Sequence, residues 1–262
     1  MDKTKKLVIV SGANSELAQP FIDYFNQQTK TKIIALFQNR EIKETKSIIP
    51  LQCDLRDDVY TRNKIIDALL SSKNLNLEKM YFLHMIGSFK YEWLNQTPEI
   101  DLNWDWIDDD IYDSNIKTFN NVFGWISDFF KKTQKNIPLT LFNVGSKRDY
   151  DPTIVPWKSY SIAKNILRKN FQELSQKHKN INSLFVNAAT IDISKERKLR
   201  PFGEYEYRLS INEIFEKTIC ELENVKWYKE LEIYKYHPKY ETNFKNESLQ
   251  NTHDRWMKEM WK

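Results

Sequence analysis

Cysteine is rare in this sequence, and no long apolar run is present. The two cysteines, Cys53 and Cys220, lie far apart without the close spacing of metal ligands, so we expect no metal site. They indicate buried thiols in a reducing compartment rather than the disulfide framework of a secreted protein. No apolar run approaches the roughly 18 residues that cross a membrane. Residues 1–6, three of which are lysines, precede only a short strand-like run, so we expect no signal peptide. These features favour a cytoplasmic protein that does not enter a membrane.

A strong excess of charge of one sign is also missing. The 262 residues include 40 lysines and arginines against 36 aspartates and glutamates, for a formal net charge of +4. Because the excess is spread along the chain, nucleic acid is not expected as a partner. Hydrophobic residues reach 40%, which is enough for a substantial core. With only 5 glycines and no linker-like segment, we expect a single domain over 1–262, with its core at about 6–236 and a C-terminal extension at 237–262.

Strand-like apolar runs alternate with amphipathic segments along most of the chain. The strands are predicted at 7–10, 32–37, 48–53, 79–86, 139–144, 181–187 and 231–236. Helices are predicted at 15–28, 57–72, about 105–132, 157–178 and 210–224, with a loop at 191–208. Strands separated by helices of this length form parallel sheets with right-handed crossovers. We therefore predict an α/β fold, a doubly wound Rossmann-type parallel sheet of about seven strands with helices on both faces.

The first predicted strand leads into a glycine turn, which reads Ser11-Gly12-Ala13-Asn14-Ser15. A strand, a glycine turn and a helix in this order direct backbone N–H groups toward a phosphate, where the helix dipole favours negative charge. The alternative is an ordinary strand-to-helix turn in which Asn14 or Ser15 caps the helix.

Four polar residues in the middle of the chain carry a more specific pattern. Tyr160 and Lys164 are four positions apart and therefore share one face of a predicted helix. Ser146 follows the fifth strand, and Asn115 lies in the helix before that strand. Together with the glycine turn, these residues resemble the short-chain dehydrogenase/reductase family, whose catalytic set is Asn, Ser, Tyr and Lys in this order. The resemblance covers about residues 6–236.

The sequence departs from the family pattern at several positions and resembles a divergent member. Glu16 and Ala18 stand where the turn usually has its second and third glycines. Ala18 is a mild change, whereas a carboxylate at Glu16 would weaken binding of a pyrophosphate unless it points to solvent. After the fourth strand, residues 84–87 read His-Met-Ile-Gly instead of Asn-Asn-Ala-Gly, and Ala188-Ala189 replace the usual Pro-Gly after the sixth strand.

The resemblance implies hydride transfer between a nicotinamide cofactor and a carbonyl or alcohol substrate. The Lys164 cation would stabilise the phenolate of Tyr160, which exchanges a proton with the substrate oxygen. Lys164 would also bind the nicotinamide ribose, and Ser146 would hold the carbonyl oxygen. Asn115 would hold a water molecule in a proton relay from Lys164.

The resemblance also implies a set of cofactor-binding residues. Asp54 would contact the adenine, although it could instead cap the following helix. After the second strand the first acidic residue is Glu41, so the strand end lacks the carboxylate that would bind the ribose 2′-hydroxyl of NAD. Arg40 could instead pair with the 2′-phosphate of NADP. NADP is therefore favoured, while NAD remains possible. The expected cofactor-binding residues are Ser11, Gly12, Asn14, Ser15, Leu17, Arg40, Asp54, Leu55, Gly87, Tyr160, Lys164 and Ile191.

The substrate is expected to be a small molecule, and its identity cannot be read from the sequence. Basic residues near the predicted site suggest an anionic substrate, such as a sugar phosphate or a nucleotide sugar, but a solvated charged loop explains them equally well. These residues are Lys147, Arg148, Lys195, Arg197, Lys198 and Arg200.

Two other functions are compatible with the same fold. A catalytically weak NADP-binding regulatory protein would usually lack the tyrosine or the lysine, and both are present here. A nucleotide-sugar epimerase or dehydratase would usually have a larger C-terminal domain, whereas only about 75 residues follow the sixth strand.

Assembly into a homodimer or homotetramer is expected through the helices at 105–132 and 157–178. The first of these is apolar around more than one stripe, which favours a second packing partner. Its apolar residues are Phe119, Val122, Phe123, Trp125, Ile126, Phe129 and Phe130. The tail at 238–262, with Trp256, Met257 and Trp261, is expected to form a helix packed on the domain or on a partner subunit.

Overall fold

Seven strands form one parallel sheet in the computed structural model, which describes residues 5–39, 42–56, 58–71, 76–89, 107–133, 136–146, 157–235 and 249–260. The sheet order is β3-β2-β1-β4-β5-β6-β7, and each neighbouring pair is parallel. The strands are β1 (Lys6–Ser11), β2 (Thr31–Phe37), β3 (Ile48–Gln52), β4 (Lys79–His84), β5 (Leu139–Ser146), β6 (Ile181–Ala188) and β7 (Tyr228–Ile233). This architecture confirms the predicted doubly wound α/β sheet.

Helices cover both faces of the sheet, because successive strand residues point to opposite faces and both sets are apolar. In β1, Leu7 and Ile9 join one buried cluster, while Val8 and Val10 join the other. The helices are α1 (Gln19–Gln27), α2 (Asp58–Ser71), α3 (Asp109–Tyr112), α4 (Thr118–Thr133), α5 (Lys158–Lys177), α6 (Ser194–Leu199), α7 (Ile211–Asn224) and α8 (Leu249–Met260).

Several element boundaries differ from the sequence prediction. Helix α1 begins only at Gln19, because residues 12–18 form turns and Pro20 stands at the helix start, where its missing N–H is tolerated. The predicted helix at 105–132 is divided by a π-helical turn, Asp113–Lys117, between α3 and α4. The predicted loop at 191–208 contains α6 and a short 3₁₀ turn, Tyr205–Tyr207.

Of the last two predicted elements, the strand starts earlier in the structure and the helix agrees with the prediction. Strand β7 starts three residues before the predicted 231, because its register is set by pairing with β6, where Ser183 lies beside Tyr228 and Ala188 beside Ile233. Helix α8 agrees with the predicted helical tail, and Trp261 lies outside the described residues.

The chain reverses its winding direction between β1 and β4, which are neighbours in the sheet. A crevice forms at the carboxyl ends of the strands at such a point, and ligands of open α/β sheets bind there. The ends of β1, β4 and β5 carry Ser11, His84 and Ser146. This edge of the sheet is therefore the place to look for a functional site.

Candidate functional site

Two cavities meet above the carboxyl edge of the sheet, and both are lined by Gly87 and Lys195. The first, of about 510 Å³, lies beside the glycine turn and the ends of β2 and β3. The second, of about 430 Å³, lies beside the end of β5, the start of α5 and the segment after β6. Together they provide room for an elongated ligand that passes over Gly87.

The glycine turn lines the first cavity with Gly12, Asn14 and Ser15. Gly12 has a φ of +68°, and a Cβ atom there would lie 2.9 Å from the main-chain oxygen of Met85. Conformation and space both require glycine at this position. Ser15 Oγ accepts a hydrogen bond from the N–H of Ala18 at 3.2 Å, so the serine braces the turn ahead of α1.

Glu16 is not among the described residues that line either cavity. Its side chain is exposed, and Oε1 accepts a hydrogen bond from the N–H of Ser194 at 3.0 Å, at the start of α6. Ala18 is fully buried, as expected for a position that needs close packing. The carboxylate of Glu16 is therefore held at the start of α6 and is not part of the described lining of the first cavity.

Two of the expected cofactor-binding residues have side chains placed elsewhere. Ser11 is fully buried, and its hydroxyl lies 2.8 Å from Nδ1 of His84. Leu17 packs against the apolar cluster under α1 and is not among the described residues that line either cavity. Arg40 lies outside the described residues.

Asp54 and Leu55 line the first cavity as expected, and Arg56 joins them there. Asp54 pairs with the guanidinium of Arg56 at 2.8 Å and accepts the N–H of Arg56 at 3.0 Å. These hydrogen bonds from Arg56 hold the pKa of Asp54 below its usual range. The second bond closes a turn ahead of α2. No sequence signal identifies Arg56, because only the fold brings this residue to the cavity.

Two of the four expected catalytic residues border Gly87, and the other two line the second cavity together with it. Ser146 and Tyr160 line the second cavity beside Gly87. Lys164, which is 2% exposed, has its Nζ 5.7 Å from the centre of the Tyr160 ring. A Cβ atom on Gly87 would lie 3.4 Å from Lys164 Nζ and 3.8 Å from Asn115 Oδ1. The small space above Gly87 is thus bounded by a cation and an amide oxygen.

Asn115 is held in a fixed orientation within the π-helical turn. Its Nδ2 donates to the main-chain oxygens of Ile111 at 3.0 Å and of Ser88 at 3.1 Å. Those oxygens only accept hydrogen bonds, which assigns the amide nitrogen to that side. Oδ1 is buried and has no hydrogen-bond partner among the described residues. A buried acceptor without a partner calls for an explanation, and a bound water molecule or ligand is one.

The second cavity is covered by α8, which packs on the segment after β6. The guanidinium of Arg200 lies 3.8 Å from the centre of the Trp256 ring and pairs with Glu259 at 2.8 Å. Arg200 Nε also donates to Glu196 Oε1 at 2.6 Å. On the other side, Trp256 stacks on Trp157 at 4.3 Å. The tail therefore contributes directly to the wall of the cavity.

The basic residues that suggested an anionic substrate have different environments. Arg197 is exposed and pairs with Asp192 at 2.7 Å, and Lys198 is also exposed, as a solvated loop would have them. Arg200 is buried among carboxylates, and Lys195 lines both cavities. Lys147 and Arg148 lie outside the described residues.

Arg208 is a lining residue of the second cavity that was not expected from the sequence, and it is 5% exposed. Its Nη2 donates to the main-chain oxygen of Arg200 at 2.9 Å, while Nη1 is buried without a partner among the described residues. Burial, and then the neighbouring Arg200 cation, lower the pKa of Arg208. No sequence signal distinguishes this buried arginine from the exposed ones nearby.

Within the described part of the chain, no cluster of three or more His, Cys, Asp or Glu residues could hold a metal ion. In the same part of the chain, none of the helices has the length and apolar character needed to cross a membrane.

The chain matches no protein-family model and no curated protein. Its fold is similar to those of solved dehydrogenases and reductases. A complex of 4-hydroxyisoleucine dehydrogenase with NADH is 16% identical, with a TM-score of 0.63 over 87% of this chain and 96% of that chain. A 3-ketoacyl-(acyl-carrier-protein) reductase from Brucella melitensis complexed with NADH is 14% identical, with a TM-score of 0.64 over 89% of this chain and 98% of that chain.

A short-chain dehydrogenase from Burkholderia cenocepacia J2315 in complex with NADP is 14% identical, with a TM-score of 0.61 over 86% of this chain and 87% of that chain. At these identities the likeness establishes a shared fold.

Proposed function

We propose that this chain, whose fold is that of the short-chain dehydrogenases/reductases, is an NAD(P)(H)-dependent oxidoreductase acting on a carbonyl or alcohol substrate. The observation that carries the proposal is the meeting of Asn115, Ser146, Tyr160 and Lys164 around Gly87, where the two cavities join. A fold alone would not require these four residue types at that junction.

The residues present fit a dinucleotide. The glycine turn presents Gly12, Asn14 and Ser15 to the first cavity, which suits the phosphates, and Asp54 and Leu55 suit the adenine end. The space above Gly87, with Lys164 Nζ and the unpartnered Oδ1 of Asn115 at its edge, suits the hydroxyl groups of a ribose.

The chemistry divides between the cofactor and the chain. A bound nicotinamide supplies or accepts the hydride. Ser146 holds the substrate oxygen by a hydrogen bond, and Tyr160 delivers a proton to that oxygen or removes one from it. Lys164 stabilises the tyrosine phenolate through its nearby positive charge. Asn115 holds a water molecule in the relay through which Lys164 exchanges a proton with solvent.

We propose NADP as the preferred cofactor, with NAD as a possible second. Gln38, rather than an acidic residue, lines the first cavity at the end of β2, and its amide donates to Asp54 at 3.2 Å. Arg40 follows two residues later in the sequence and could pair with a 2′-phosphate. Fluorescence titration of NADPH and NADH with wild type and Arg40→Ala tests the preference, which should disappear in the variant.

An anionic substrate, such as a sugar phosphate or a nucleotide sugar, is proposed from the second cavity. Its described lining includes five cations, Lys195, Arg200, Arg208, Arg255 and Lys258, and three carboxylates, Glu196, Glu204 and Glu259. Such an excess attracts an anion, and a partly enclosed cavity strengthens the attraction.

A cytoplasmic location and assembly as a homodimer or homotetramer complete the proposal. The fold leaves α4 with two half-buried phenylalanines, Phe123 and Phe130, which could meet a second subunit.

Turnover with a substrate panel tests the proposed function. NADPH and NADH are assayed with ketones, sugar phosphates and nucleotide sugars, using wild type and Tyr160→Phe. Wild type should oxidise the reduced cofactor with at least one carbonyl compound, and Tyr160→Phe should lose about 100-fold or more in kcat because the proton donor is gone. Cofactor binding without turnover by wild type would instead indicate the regulatory alternative.

A further inference from the structure

A buried chain of three polar groups connects the glycine turn with the π-helical turn. His84, the last residue of β4, is fully buried. Its Nδ1 lies 2.8 Å from Oγ of Ser11, and its Nε2 lies 3.1 Å from the main-chain oxygen of Asn115. Ser11 ends β1 directly before Gly12. One side chain therefore touches the element that leads to the phosphate turn and the element that carries Asn115.

The partners of His84 fix its protonation. Burial, and then the positive charge of Lys164, lower the pKa of His84 to about 3, so the imidazole is neutral near pH 7. A main-chain oxygen can only accept a hydrogen bond, so the single ring proton lies on Nε2 and is donated to Asn115. Nδ1 is then an acceptor, and the Ser11 hydroxyl donates to it.

The main-chain oxygen and the side-chain oxygen of Asn115 have different surroundings. The main-chain oxygen accepts from His84, whereas Oδ1 lies at the edge of the space above Gly87 that Lys164 Nζ also borders. Nδ2 is held on the opposite side by Ile111 and Ser88. Rotation of the π-helical turn would move Oδ1 away from that space, and the His84 hydrogen bond opposes this rotation.

His84 is itself held rigidly. Its main-chain oxygen accepts a hydrogen bond from Asn143 Nδ2 at 2.7 Å, and the rings of Phe82 and Phe119 lie 5.8 Å and 5.6 Å from the imidazole. Because His84 is confined on several sides, its hydrogen bond fixes the π-helical turn relative to the sheet. Residues that support a reactive site must hold it in this way.

We propose that His84 is a positioning residue: by donating its Nε2 proton to the main-chain oxygen of Asn115, it holds the π-helical turn so that Asn115 Oδ1 faces Lys164 over Gly87. This role rests on the proposed oxidoreductase function. In the sequence, His84 is visible only as a departure from the family pattern, which usually has asparagine at this position. The resemblance alone assigns no role to this histidine.

Two amide substitutions separate the two hydrogen bonds of His84. The amide of His84→Asn occupies the region of Nδ1, so it can pair with Ser11 but cannot reach Asn115. The longer His84→Gln places its amide nitrogen near the former Nε2, so it can still donate to the main-chain oxygen of Asn115. The two variants have similar polarity and burial, and they differ in which partner they keep.

Steady-state kinetics with NADPH and the best carbonyl compound of the panel provide the functional test. We expect His84→Asn to lower kcat by about 10- to 100-fold, as a misplaced group in the relay would. We expect His84→Gln to recover kcat to within about fivefold of wild type, and KM and NADPH affinity to change by less than about threefold in both variants. Melting temperatures measured beside the kinetics separate positioning from folding. Equal loss of kcat in both variants, or a loss that follows the melting temperature, would overturn the role.

Nitrogen-15 NMR of labelled histidine tests the geometry without turnover. His84 should be neutral at pH 7 with its proton on Nε2, and Ser11→Ala should shift the Nδ1 resonance while leaving the Nε2 proton in place. A proton on Nδ1, or a charged ring, would refute the donation to Asn115. If wild type showed no turnover, the proposed function and the positioning role would both fail, while the NMR result would still decide the hydrogen-bond arrangement.

Discussion

At the scale of single residues, the candidate site depends on Gly87, which as a glycine has no side chain. Gly87 leaves a space that Lys164 Nζ and Asn115 Oδ1 border, and it lies where the two cavities join. A Cβ atom on Gly87 would lie 3.4 Å or more from these neighbours, so a methyl group would fit without a severe clash. The fold itself therefore does not require glycine at this position, and we propose that a bound ligand needs the space.

Gly87→Ala should leave the fold intact and impair the site. We expect a melting temperature close to that of wild type and NADPH binding weaker by about tenfold, equivalent to about 1.4 kcal/mol, because the methyl group takes up room above Lys164. Fluorescence titration and thermal unfolding measure the two effects separately.

Gly124→Ala is the matched control. A Cβ atom on Gly124 would meet nothing within 4 Å, and the residue lies inside α4. This variant should bind NADPH as wild type does and should gain about 0.5–1 kcal/mol in unfolding free energy, since alanine loses less entropy in a helix. Wild-type NADPH affinity in Gly87→Ala would contradict our interpretation of the space.

The sequence allowed some of these residues to be identified and concealed others. The spacing of Tyr160 and Lys164 is local, so it is visible without a fold. Ser146 was identified from its place after a strand together with this pair and the family resemblance. Arg208 and the hydrogen bonds of His84 depend on burial and on partners distant in the sequence. Buried polar residues are distinguished from exposed ones only by the packing around them.

At the scale of elements, periodicity located nearly every strand and helix but not the interruptions within them. The π-helical turn at 113–117 continues the helical pattern of its neighbours, so no apolar spacing marks it. Helix α6 is short and has no buried residue, which leaves it without an apolar stripe. Its role becomes visible only in three dimensions, where it and α8 hold the same arginine.

Arg200→Met tests how α8 is attached. The side chain of Arg200 is 1% exposed and pairs with Glu196 and Glu259. Its removal leaves the half-buried Glu196 without its cation, and Glu259 keeps only its pair with Arg255. We expect a loss of about 3–5 kcal/mol in unfolding free energy, together with faster hydrogen exchange across 249–260.

Arg197→Met provides the comparison from the same helix. Arg197 is 59% exposed and pairs with Asp192 at the surface, so its loss should change stability by less than about 1 kcal/mol. If both variants had the same stability and the same exchange in α8, the buried ion pairs would not be what attaches the tail.

At the scale of the whole molecule, the sheet order places the ends of β1, β4 and β5 side by side. The glycine turn, the Gly87 segment and Ser146 thereby become neighbours, although they are far apart in the sequence. Helix α4 is the element from which assembly into an oligomer was expected. Phe119, Val122, Trp125, Ile126 and Phe129 are buried within one chain, which accounts for most of the apolar excess that suggested a partner subunit.

The expected homodimer or homotetramer is tested by light scattering during size-exclusion chromatography. A mass of two or four chains at micromolar concentration is expected, with contacts at the half-buried Phe123 and Phe130. A mass near 31.5 kDa would show that α4 needs no partner beyond the elements of its own chain.

The central claim is that hydride passes between a nicotinamide and a substrate beside Tyr160. Reactions run with NADPH deuterated at C4, on each face in turn, and analysed by mass spectrometry of the product test this claim most directly. We predict that one of the two labelled cofactors transfers one deuterium to the carbon of the alcohol product. Tyr160→Phe should still bind NADPH and should form the labelled product about 100-fold or more slowly. Alcohol product formed without deuterium from either cofactor would contradict the claim.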